Sequence, residues 1–180
     1  SGNLYQSNNT STLPSVLTLT SGIIETQGTS IWGCLRTSND GVVGASSSSY
    51  VKGTLGKGLS NTSGNLSKRD FPVGDDKGYR PVTVRASAGL VSGHLLVAQL
   101  ISGNANNSST FAGGIDRVSA VRYYKVSYTK SGTAAAASVT VDTLGASYAA
   151  GDGVAAGNTN LRVAYSINER ALWTGVPQTV

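Results

Sequence analysis

Apolar residues along this chain recur with a period of two and scarcely anywhere with the 3.6 of a helix. In "VLTLT", Leu17 and Leu19 share one face, with Thr18 and Thr20 opposite. "RPVTVRAS" places Val82 and Val84 inward, with Thr83 and Arg85 outward. The longest run is "RVSAVRYYKVSYTK", where Val118, Ala120, Tyr124, Val126 and Tyr128 keep one phase. "NLRVAYSI" alternates Leu161, Val163, Tyr165 and Ile167 with Arg162, Ala164, Ser166 and Asn168. Shorter runs are "SIWGCLRT", "SSYVKGTL" and "SVTVDT". "GHLLVAQLIS" is apolar almost throughout, as in a central strand covered on both faces. The best helical candidate, "AAAASV" at Ala134 to Val139, is too short and leads into β-branched alternation.

Between these runs lie "TSNDG", "LSNTSGN", "GDDKG", "SGNANNSS" and "GASYAAGDG". Such residues tolerate positive φ or cap turns through their side chains. About ten strands so joined predict an all-β fold, an antiparallel β-sandwich of jelly-roll or immunoglobulin-like order. A parallel βαβ layout is excluded, because no segment supplies the crossover helix. The expected organisation is an extended N-terminal arm over residues 1–20 and a sandwich over 21–180. The tightest patterning is "RDFPVGDDKGYRPVTVRAS". Pro72 and Pro81 favour extended backbone before them, and Gly74 and Gly78 bracket "DDK" so that it turns sharply. Phe71, Val73 and Tyr79 are then placed to plug a sandwich edge. This is corner chemistry.

Composition narrows the class. The 180 residues include 23 Gly, only 13% are charged, and small polar residues abound. That balance fits secreted β-proteins. Met is absent, which predicts a chain processed from something longer. No apolar run approaches the ~18 residues of a membrane span. The net charge of +5 is dispersed, with only Lys68 and Arg69 adjacent among the basic residues. No nucleic-acid motif appears. A mild affinity for anionic polysaccharide is what the charge leaves.

Catalytic chemistry is thinly supplied, and an enzyme is not expected. His94 is the one histidine and opens an apolar strand, where it reads as structural. Cys34, the one cysteine, reads as a buried apolar residue or an intermolecular bridge. Two such residues cannot make a zinc site. The acids mostly sit beside Gly or Asn in turn sequence, where carboxylates cap. No cofactor is expected, and calcium is the metal the loops would take, through Asp75, Asp76 and Asp152. Trp32 and Trp173 read as core. Tyr123, on the face opposite Tyr124 and Tyr128, is the candidate glycan contact.

"YVKGTLGK…RDFPVGDDKGYRPVTV" resembles a recurring segment of large cell-surface and secreted proteins of the Bacteroidota. "LTLTSGIIETQGTSI" upstream, and "VRYYKVS" and "DGVAAGNTNLRVAYSINERALWTGV" downstream, extend the likeness over most of Leu17 to Gly175. The resemblance implies a β-sandwich module of an adhesive or matrix protein, of a class often exported by the type IX route. It brings no catalytic residues. It also makes "DTL" at Asp142–Leu144 a short O-glycosylation motif with Thr143 as acceptor.

"SGNLYQSNNTSTLPS" is too polar to hold itself down, and ordering it costs ~1–2 kcal/mol per residue. Sheet hydrogen bonds to its own domain or to a neighbour would offset that. "LPSVLTLTSGII" beyond it is strand-like, and would complete another subunit's edge through Leu13, Val16, Leu17, Leu19 and Ile23. The expectation is a self-polymerising extracellular or cell-surface protein of a filament, fibre or matrix. The alternative is a carbohydrate-binding or adhesin module of a larger surface protein.

Overall fold

The computed structural model describes residues 17–26, 32–34, 41–58, 68–88, 94–105, 110–130, 140–147, 152, 163–167 and 170–175. The chain divides into two compact units, Ser1–Leu100 with Tyr124–Gly145, and Ile101–Tyr123 with Ala146–Val180. Among the described residues regular structure is strand, with no α-helix, so the all-β expectation holds.

In the first unit, four strands hydrogen-bond in the order β13 (Arg122–Lys130), β11 (His94–Ser102), β6 (Thr54–Gly58), β3 (Trp32–Cys34). A second sheet runs β14 (Thr140–Ala146), β10 (Val82–Ala88), β7 (Lys68–Phe71). Period-two alternation gives each sheet an apolar face, and these faces share one buried cluster. Leu55, Leu96, Ala98 and Leu100 come from the first sheet, and Phe71, Val82 and Val84 from the second. Tyr124, Val126 and Tyr128, the phase expected, pack against it. Each large buried side chain contributes ~1.5–3 kcal/mol by leaving water.

A third sheet, β2 (Ile24–Glu25), β5 (Val51–Lys52), β8 (Val73–Asp75), β9 (Gly78–Tyr79), adds Val51 and Val73 to the cluster. A fourth pairs β1 (Leu17–Thr18) with β4 (Val42–Val43). The two longest ladders whose register is described are antiparallel, β11 with β6 and β10 with β7. Short parallel contacts of two or three residues join β1 to β4, β2 to β5, β5 to β8 and β3 to β6. Their connections run through strands of other sheets, so no crossover helix is needed. Among the described residues there are sixteen strand segments, more than expected, and one expected run is split by a glycine. Gly53, at φ 123, divides "SSYVKGTL" into β5 and β6.

The corner forms as expected. β8 and β9 pair as a hairpin, Gly74 opposite Tyr79 and Asp75 opposite Gly78, with Asp76 and Lys77 as its turn. The Lys77 amide donates to Asp75 Oδ1 at 2.9 Å, and Gly78 sits at φ 123. Phe71 and Val73 are fully buried, and half-buried Tyr79 tilts against Tyr50 at 5.9 Å.

The second unit holds a sheet ordered β12 (Thr110–Ala112), β16 (Leu172–Gly175), β15 (Ala164–Tyr165). Its inner side carries Trp173, buried as expected, with Phe111 as its Cα partner on β12. The "NLRVAYSI" alternation turns its apolar phase outward here. Tyr165 is 44% and Ile167 92% exposed, while Ala164 and Ser166 are half-buried. The Trp173 indole occupies the inner side of this small sheet, and the small side chains of β15 face that way. Arg122 and Asp152, both nearly buried, pair at 3.0 Å.

Candidate functional site

The segment Leu17–Thr26 lies extended along Val42–Lys52, parallel to it from end to end. Leu17 and Thr18 pair with Val42 and Val43, and the Leu19 amide donates to the Val43 carbonyl at 2.8 Å. Further on, Gly22 donates to Ser48, Ile24 to Tyr50 and Thr26 to Lys52, at 2.9–3.2 Å. The facing strand has two residues more than the segment between these pairings. The excess is taken up by a tight turn in which Ser46 and Ser49 exchange backbone hydrogen bonds. The buried Ser49 hydroxyl then donates to the Gly22 carbonyl at 3.1 Å, and the Thr54 amide to Thr26 Oγ1 at 2.7 Å.

The inward phase shifts by one residue between Leu19 and Ile24. Leu19 is 5% exposed within the main core, and Leu17 and Ile24 pack against it. Thr18 and Thr20 face out, as does Ile23 at 49% exposure. The chain opposite makes room: at Gly44, φ 76, a Cβ would collide with the Leu19 carbonyl oxygen. Lys52 clasps the far end, its ammonium 3.0 Å from Glu25 and 2.5 Å from Asp76. Those hydrogen bonds, to Asp76 first and Glu25 second, hold its pKa well above the usual lysine value. Being on the rim, the clasp orients the segment more than it stabilises it. Of the residues expected to join copies, Leu17, Leu19 and Ile23 are therefore in or beside this strip, and Leu13 and Val16 lie outside the described residues.

The calcium candidates each have another arrangement in this structure. Asp75 is buried and caps its own hairpin turn, Asp76 reaches Lys52, and Asp152 faces Arg122. Among the described residues no three His, Cys, Asp or Glu side chains cluster as a metal would require. Tyr123 is half-buried, with the Arg170 guanidinium 5.0 Å from its ring centre. Arg170 is itself at φ 74, and donates to the Asn104 carbonyl at 3.1 Å. Thr143 falls on β14, and Cys34 and His94 on β3 and β11, but their side chains lie outside the described residues.

Sequence reasoning missed the Ser46–Ser49 turn and two cations inside the first unit, Lys57 on β6 and Arg69 on β7. Burial pulls the Arg69 pKa down. The Lys57 ammonium lies 5.9 Å from the centre of the Phe71 ring, a cation–π contact that offsets part of its desolvation. The available signal was the phase: Lys57 and Leu55 fall on the same face of one strand, as do Arg69 and Phe71. Comparison with protein-family models, curated proteins and solved structures gives no match to this chain.

Proposed function

We propose that this chain is a non-enzymatic structural protein of the cell exterior that joins copies of itself into a surface filament, fibre or matrix by exchange of its N-terminal strand. The observation that carries the reading is the parallel docking of Leu17–Thr26. This segment supplies core residues, yet meets its partner strand through backbone hydrogen bonds and a few apolar side chains at an edge. The same segment from a second copy would make identical contacts, so exchange costs little beyond ordering the linker. Strand addition of this kind takes affinity from main-chain hydrogen bonds and specificity from the side chains that turn inward, here Leu17, Leu19 and Ile24. Low charge, abundant small polar residues and the Bacteroidota surface-protein resemblance support an extracellular setting.

The test is a chain lacking Ser1–Thr26, mixed with a synthetic peptide of residues 13–26. The reading expects the shortened chain to form no fibres in negative-stain micrographs, and to bind the peptide at one per chain. Fibres that persist without the segment would rule out its role.

A further inference from the structure

The sheet of the second unit turns Trp173 inward and the large side chains of β15 outward. Ladder register fixes which residues share the outer face. Thr110 and Ala112 on β12 are the Cα partners of Leu172 and Thr174 on β16, and Tyr165 on β15 meets Thr174 from the other side. Continuing that antiparallel register brings Ile167 level with Leu172. Three of the five exposed large apolar side chains among the described residues lie on this face: Tyr165, Leu172, and Ile167 at 92% exposure.

Two properties of the face select its occupant. None of its six residues is charged, although the chain carries a net +5. Two copies repel each other in general, and least where they meet through an uncharged face. The second property is slope. The order β12, β16, β15 sets Thr110 and Ala112 along one side and Tyr165 and Ile167 along the other, with Leu172 and Thr174 between. A two-fold axis along β16, in the plane between two stacked sheets, reverses that slope in the second copy. The bulky row of each copy then lies over the shallow row of the other, with strands aligned as in packed sandwiches. A two-fold across the strands would set bulk upon bulk. Three strands ~5 Å apart make a face well short of the ~800 Å² per partner that a stable complex buries. Such a contact is weak in a single pair and firm where many copies are already aligned, as in a fibre.

We infer that this outer face packs against the same face of a second copy, Tyr165 and Ile167 of each over Ala112 and Thr110 of the other, and so joins fibres side by side. The contact rests on the strand-exchange reading for its strength, and uses none of the residues that carry that reading.

The experiment places p-benzoylphenylalanine at Tyr165 in the full chain, mixes heavy-isotope and unlabelled copies, and maps the photo-adducts by mass spectrometry. Adducts should join different copies and fall on Thr110–Ala112. Ile167→Lys should lower their yield about tenfold, because the contact would then bury a charge. Its fibres should lie apart in negative stain where those of the parent chain bundle. Ser127→Lys adds the same charge at an exposed position of the first unit and should leave the yield unchanged. If strand exchange fails, no fibres form, and the adduct is then read on the soluble chain at millimolar concentration, where a weak pair is populated. No adduct between copies in either state, adducts only away from Thr110–Ala112, or a yield indifferent to Ile167→Lys would overturn the inference. So would protection of the probe by hydroxyethylcellulose without any adduct between copies, which would assign the face to a glycan.

Discussion

Gly74 carries no side chain because neighbouring atoms occupy the space one would need. A Cβ there would lie 2.5 Å from a Tyr50 ring carbon and 2.6 Å from the Gly78 carbonyl oxygen. The ring cannot yield easily, since the Tyr50 hydroxyl donates to the Asp75 carbonyl at 2.8 Å across the same hairpin. Gly74→Ala should therefore cost about 1–3 kcal/mol in urea unfolding, through overpacking at the corner. The two tyrosines here set an alkaline limit as well. Burial, then Asp75 and Asp76, raises the Tyr50 pKa above its ordinary 10.0, and burial, then Asp70, does the same for Tyr79. The folded state thus holds both protons more tightly than the unfolded state. Their contribution is fully present below pH 10 and is lost as pH rises through the shifted values. Lys52, also raised, acts with the same sign. The melting temperature should fall above pH 10, and fall less steeply in Tyr79→Phe.

At the scale of elements, the docked N-terminal strand makes the sharpest claims. Leu19→Ala removes a core side chain and should cost about 2–5 kcal/mol. Gly44→Ala pushes against the Leu19 backbone instead. It should speed amide hydrogen exchange in 17–26 while the central strand at 96–100 stays protected. The Leu17/Leu19 phase, the β10 alternation and the proline-bracketed corner were legible in the sequence, because period-two patterning and turn residues are local signals. The parallel register of Leu17–Thr26 against Val42–Lys52 was not, because it depends on a partner distant in the chain and on the Ser46–Ser49 turn. Nor did alternation in "NLRVAYSI" say which phase faces inward: the period is the same either way, and the packing of Trp173 decides it.

For the whole molecule, the proposed assembly turns on whether Leu17–Thr26 of one copy takes the place of that segment in another. Thr18 and Val43 are Cα partners in the parallel ladder and both face out, so cysteines there would be within disulfide reach with little cost to the core. The measurement is oxidation of an equal mixture of two chains, one with Thr18→Cys and the other with Val43→Cys, both in a Cys34→Ser background. Strand exchange predicts a covalent heterodimer that appears only in the mixture and as the native assembly forms. A mixture that stays uncrosslinked, while one chain bearing both cysteines closes its own bridge completely, would contradict it.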